Sequence, residues 1–146
     1  MEQADFTNAN LAGALFNGAD VSKAIFAFAD LTRCQFQGAL ANRADFSDAD
    51  LEKANFTHAQ LFKAEFKGAS VPETNFTSAY LRGACFKQTR LYKTIFDDVS
   101  VFEVLILQQF YQNVFAHMEA REYCLLCMYL CWTLTVHDDY ISTTCQ

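Results

Sequence analysis

The sequence predicts an all-β solenoid closed at its carboxy end by an α-helical cap. Three observations predict it: a large apolar residue at nearly every fifth position from Phe6 to Val101, a small residue two positions before each, and helical spacing of apolar residues beyond Val101. A period of five fits neither common element, since an α-helix repeats its apolar face every 3.6 residues and a strand every 2. It fits a chain that turns a corner every five residues and points one large and one small side chain inward each time. A single coil has no way to bury that inward face alone, so successive coils must stack.

The central residues run Phe6, Leu11, Phe16, Val21, Phe26, Leu31, Phe36, Ala41, Phe46 and Leu51, then Phe56, Leu61, Phe66, Val71, Phe76, Leu81, Phe86, Leu91, Phe96 and Val101: twenty units without an insertion. The small position is Ala in most units and Cys34, Thr74, Thr89 or Thr94 in others. The remaining positions are mostly polar, which suits an outward wall.

Units such as Ala4-Asp5-Phe6-Thr7-Asn8, Ala29-Asp30-Leu31-Thr32-Arg33 and Ala49-Asp50-Leu51-Glu52-Lys53 resemble the A-D-L/F-x-x signature of the pentapeptide-repeat family, and the resemblance covers residues 4–103. It implies a right-handed quadrilateral β-helix with four units per coil, central and small residues inside, and hydrogen bonds between neighbouring coils. Twenty units then make about five coils, a rod roughly 24 Å long at a strand spacing of about 4.8 Å. With four units to a coil, Phe6, Phe26, Phe46, Phe66 and Phe86 share one side and Phe16, Phe36, Phe56, Phe76 and Phe96 the opposite one. Two facing Phe ladders, separated by Leu and Val ladders, are expected to fill the interior. Ala41 is the undersized centre, where a void or an inward dip is expected.

The chain has 146 residues, of which 52% are apolar, enough for one domain with a substantial core. The repeat starts at Ala4, leaving no room for a secretory signal, so a cytoplasmic protein with reduced thiols is the expectation. The net charge of −6 is unevenly placed. Residues 1–65 carry nine acids and five bases, whereas residues 66–95 carry Glu73 alone against Lys67, Arg82, Lys87, Arg90 and Lys93. No continuous basic stripe is legible, so direct nucleic-acid binding by phosphate neutralisation is not expected.

Beyond Val101, the residues Val104, Leu107, Tyr111, Val114, Phe115 and Met118 fall at helical spacing and predict an amphipathic helix over about 103–118. The fourteen-residue apolar run 123–136 is short for a membrane span, which needs about 20 apolar residues, and reads as a buried helix. The expected division is therefore a repeat domain, 4–103, and a helical capping segment, 104–146, that covers the open edge and core of the last coil. The amino end has no such cover, and a homodimer through that end or through the carboxy-terminal helices is the self-association this arrangement allows.

Candidate chemistry is sparse. Cys124, Cys127 and Cys131 share a helix face with His137 nearby, a spacing that could ligate zinc, but their neighbours are apolar and buried thiols are ordinary core residues. Cys34 takes an inward small position, and Cys85 is expected to point outward beside Phe86. His58 is an outer repeat residue without a partnering nucleophile, His117 belongs to the amphipathic helix, and His137-Asp138-Asp139 reads as a solvated terminus. No phosphate loop, nucleophile elbow or zincin pattern is present in the sequence. No enzyme, cofactor, catalytic residue or metal ligand is expected.

The expected function is a non-enzymatic scaffold that shows flat faces to a protein partner. The partner-binding residues expected are Leu40, Phe62, Tyr80, Arg82 and Phe102, which project from the side centred on Val21, Ala41, Leu61, Leu81 and Val101 and make it too apolar for a solvated wall. The alternative comes from the resemblance: some members of the family copy the shape and charge of DNA and bind type II topoisomerases. Asp30 and Asp50 stack in adjacent coils as such a copy would require, but Arg33 and Lys53 follow each of them by three residues and neutralise the column.

Overall fold

The structure, a computed structural model, describes residues 3–99. Its unit is the corner. Every fifth residue from Gln3 to Asp98 has a positive φ, between 51° and 73°. Gly occupies five of these positions and fifteen carry a side chain, Phe28 among them, although a Cβ in the left-handed region crowds its own backbone. Hydrogen bonds hold the strained residue from both sides. Within the corner, the N–H three residues beyond the centre donates to the central carbonyl, as from Ala9 to Phe6 at 2.9 Å and from Ala59 to Phe56 at 3.0 Å. Between coils, the left-handed residue donates its own N–H to a carbonyl nineteen residues on, as from Asn8 to Ala27 at 3.0 Å and from His58 to Thr77 at 3.0 Å.

Asp and Asn before the centre complete the corner. Oδ1 of Asp5, Asp20, Asp30, Asp45 and Asp50 accepts the N–H two residues on at 2.8 to 3.1 Å. Asn10, Asn55 and Asn75 do the same at 2.8 to 3.2 Å. These side chains locally satisfy a donor that the coil-to-coil bonds leave over, which is why short acceptor side chains favour turns.

Coils stack by parallel pairing of each residue with the one twenty positions on, from Asp5 with Ile25 to Asn75 with Ile95. The N–H of Phe6 donates to Ile25 at 2.7 Å, and the N–H of Ile25 returns to Ala4 at 2.9 Å. Four corners therefore close one twenty-residue coil, and the pairings 5, 25, 45, 65 and 85 define five levels.

The expected fold class requires correction. An all-β solenoid, a quadrilateral β-helix with a helical cap, implies strands and a helix. Among the described residues there is no helix, and each pairing is an isolated bridge of one residue, with no strand or organised sheet. The physical reason is the corner: a left-handed residue every fifth position resets the backbone before a second consecutive residue can join a ladder. The segment where capping helices are expected, Val101, Phe102, His117, Cys124, Cys127, Cys131 and the segment His137 to Asp139 lie outside the described residues.

The interior has the inward pattern that the period predicts, with one change. Phe26, Phe36, Phe46, Phe56, Phe66 and Phe76 are fully buried, as are the aliphatic centres Val21, Leu31, Leu51, Leu61, Val71 and Leu81. Rings twenty residues apart stack with centroids 4.6 to 5.2 Å apart. The two Phe ladders are not separated by Leu and Val: they meet edge to face at 5.5 to 6.2 Å. Both geometries suit the ring quadrupole, so the ladders form one aromatic core.

Inward polar groups find partners. The hydroxyls of Thr74, Thr89 and Thr94 donate to the carbonyls of Leu51, Phe66 and Val71 at 2.7 to 2.8 Å. The Cys34 thiol donates to Leu11 at 3.0 Å, and burial pushes its pKa up. One further expectation fails, and one of the two alternatives at Ala41 is excluded. Cys85 occupies an outward column but is only 3% exposed. At Ala41 the backbone does not dip, since Val21 N to Leu40 O and Ala41 N to Gln60 O are both 2.8 Å, as elsewhere in the stack. The bonds between coils dictate the backbone path, so a smaller side chain does not draw it inward.

Candidate interaction face

The coil stack turns sequence positions twenty apart into columns, so the character of each side can be read from the bridge pairing. The side centred on Phe6 to Phe86 carries Asp5, Asp45, Asp48 and Glu65 against Lys67 and Lys87. The side centred on Leu11 to Leu91 balances Asp30, Asp50, Glu52 and Glu73 with Arg33, Lys53, Arg90 and Lys93. There Lys53 Nζ pairs with Glu52 at 2.7 Å and approaches Glu73 at 3.9 Å. The side centred on Phe16 to Phe96 has no Asp, Glu, Lys or Arg before Asp97.

The fourth side, centred on Val21, Ala41, Leu61 and Leu81, is different. It presents Lys23, Arg43, Lys63 and Arg82 against the single carboxylate Asp20, one cation on each successive coil. The stripe that the linear sequence did not reveal is made by the twenty-residue spacing of Lys23, Arg43 and Lys63. A shallow groove of about 540 Å³ runs along this side. Lys23, Arg43 and Arg82 line it with charge and Phe62 and Tyr80 with rings, while Ser22, Asn42 and Gln60 add hydroxyl and amide groups.

Backbone bonds fix these side chains. Leu40, Gln60 and Tyr80 are successive members of one bridged column. The N–H of Phe62 donates to Oδ1 of Asn42 at 3.0 Å, and its carbonyl accepts from Arg43 at 2.8 Å. Lys63 Nζ lies 5.5 Å from the Phe62 ring centroid, within cation–π range. Tyr80 is 40% and Leu40 36% exposed, Arg82 is exposed, and Phe62 is half-buried.

Of the residues expected from the sequence, Phe62, Tyr80 and Arg82 meet around the groove. Leu40 stands in the same column as Gln60 and Tyr80, one coil before the groove wall at Gln60, and Phe102 lies outside the described residues. Sequence reasoning missed Lys23, Arg43, Ser22, Asn42 and Gln60.

The acidic columns are committed to the corners. Hydroxyl and N–H donors on Thr7, Ser22 and Thr32 hold the carboxyls of Asp5, Asp20 and Asp30 below the ordinary carboxylate value. Among the described residues no group of three or more His, Cys, Asp or Glu could hold a metal ion, and no helix is long and apolar enough to cross a membrane.

The family model "Pentapeptide repeats (8 copies)" matches residues 1–38, 29–68 and 59–98. Among solved structures, the chain is similar to a pentapeptide repeat protein from the Arabidopsis thaliana thylakoid lumen, 34% identical with a TM-score of 0.57, the match covering 58% of this chain and 59% of that one. A pentapeptide repeat protein of the cyanobacterium Cyanothece is 21% identical, with a TM-score of 0.33 and coverage of 68% and 88%. HetL of Nostoc, described as involved in heterocyst differentiation regulation, is 26% identical, with a TM-score of 0.23 and coverage of 67% and 53%. No curated protein matches the chain.

Proposed function

Because the chain belongs to the pentapeptide-repeat family, whose members are generally non-catalytic, we propose that it is a protein–protein interaction scaffold that docks a partner on the side bearing Leu40, Phe62, Tyr80 and Arg82. The observation that carries this reading is the groove at which Phe62, Tyr80 and Arg82 converge. Aromatic and Arg side chains supply large contact area and directional bonds, which is why they anchor interfaces more often than other residues. A stack with a bonded corner every five residues holds them at fixed spacing, so little ordering entropy opposes docking.

The charge distribution favours this reading over a DNA copy. Asp30, Asp45 and Asp50 spend one carboxylate oxygen on their own corners, and Arg33 and Lys53 share the side of Asp30 and Asp50. In this proposal residues 104–146 cover the last coil and Phe102 extends the docking side. A cytoplasmic location belongs to the same reading.

The test is the double change Leu40→Ser and Phe62→Ser. It is expected to leave the fold intact and lower partner capture or self-association, measured by pull-down and sedimentation. Full retention of binding by the folded variant would remove this side from consideration.

A further inference from the structure

We propose that the groove takes an extended acidic segment of a partner protein, with one carboxylate at the Lys23 and Arg43 end, another at Arg82 and an apolar side chain laid between Phe62 and Tyr80. This deepens the scaffold reading and rests on it. Three cations and no carboxylate line the groove, although acids outnumber bases over the whole chain. A side whose charge opposes that of the molecule selects its partner by charge complementarity, which governs encounter rate and specificity.

The dimensions favour a peptide. Lining residues come from four successive coils, so the groove extends over three coil spacings of about 4.8 Å, or roughly 14 Å. About four residues of extended chain span that length at some 3.3 Å each. Alternate side chains of such a segment face the wall together, and the long stems of Lys and Arg adjust to their spacing. The amide and hydroxyl groups of Asn42, Gln60 and Ser22 can bond a peptide backbone.

Nucleic acid fits less well. Four cations on one side are few for phosphate neutralisation, and Asp45, Asp48 and Glu65 on the adjoining side repel a polyanion longer than the groove.

The test is fluorescence anisotropy with the full chain and a labelled peptide of about ten residues repeating Glu-Glu-Leu-Leu, which puts glutamate and leucine in turn on each face of an extended chain. The comparison probes are its glutamine counterpart and an oligothymidylate. The glutamate peptide is expected to bind about tenfold tighter than the glutamine peptide and to weaken at about 0.5 M salt. Lys23→Glu with Arg43→Glu should weaken it a further tenfold or so, whereas Arg33→Glu with Lys53→Glu, on another side, should not.

Equal affinity for the two peptides, tighter binding of the oligothymidylate, or indifference to the Lys23 and Arg43 changes would each overturn the proposal. If the charge reversal impairs folding, Lys23→Gln with Arg43→Gln and the salt dependence of the unaltered chain decide the question. Loss of partner capture in the Leu40 and Phe62 variant, with no preference for the glutamate peptide, would reject the acidic occupant and leave the docking side standing.

Discussion

Replacing Phe46 by Ala removes a mid-stack ring with four aromatic partners. Phe46 is fully buried, stacks on Phe26 and Phe66 at 5.1 and 5.0 Å, and meets the edges of Phe36 and Phe56 at 5.8 and 5.5 Å. Truncating a buried Phe costs roughly 3 to 5 kcal/mol, the higher values arising where the surroundings do not collapse into the space. Here they are held by coil-to-coil bonds such as Phe46 N to Glu65 O at 2.7 Å. Each ring pair adds about 0.5 to 1.5 kcal/mol beyond area burial, although four pairs on one ring do not sum independently. The expected loss is therefore about 4 to 5 kcal/mol. Phe6, partly buried and with two ring partners among the described residues, Phe16 and Phe26, should cost about 2 kcal/mol when truncated. Urea denaturation, with the slope checked for constancy, measures both. A Phe46→Ala variant within 1 kcal/mol or so of the parent, or no more damaging than Phe6→Ala, would refute the shared aromatic core.

Three further outcomes are expected. Ala41→Leu should raise stability by about 1 kcal/mol, because the backbone at Ala41 follows the same path as at larger centres and leaves space for the side chain; a lowered denaturation midpoint would contradict this. Asp5, Asp20 and Asp30 have lowered folded pKa values, so their stabilisation is present above the ordinary value of 3.8 and is lost as pH falls through the lower folded values. Replacing all three by Asn should flatten that acid loss while keeping the corners, as Asn55 keeps its own at 3.0 Å; an equally steep loss would contradict the assignment. Deleting residues 104–146 should cause end-to-end association or aggregation in sedimentation, and a monodisperse truncation of equal stability would reject the capping role.

The inward architecture was legible because a five-residue period with two inward positions leaves no other way to hide so many Phe and Ala side chains. The columns at twenty-residue spacing followed once four units were assigned to a coil. What escaped detection was three-dimensional. Isolated bridges in place of strands follow from the left-handed residue at each corner, and residues such as Lys53 and Phe28 at those positions give little sign of a positive φ. The basic side escaped because charge was summed along the chain, which mixes all four sides. Taking Lys23, Arg43 and Lys63 at twenty-residue intervals exposes it. The burial of Cys85 had no signal in a pattern that places its position outward.

The central claim is that one side of the stack, and not merely its apolar surface, captures a partner. Quantitative pull-down from the source cell with the full chain tests it most directly, comparing Leu40→Ser with Phe62→Ser against a control pair on another side, Ile25→Ser with Phe28→Ser. Ile25 and Phe28 are 38% and 59% exposed, so the control removes comparable exposed apolar surface. The account predicts loss of the captured protein with the first pair and retention with the second. Equal loss with both pairs, or retention with both, would contradict it.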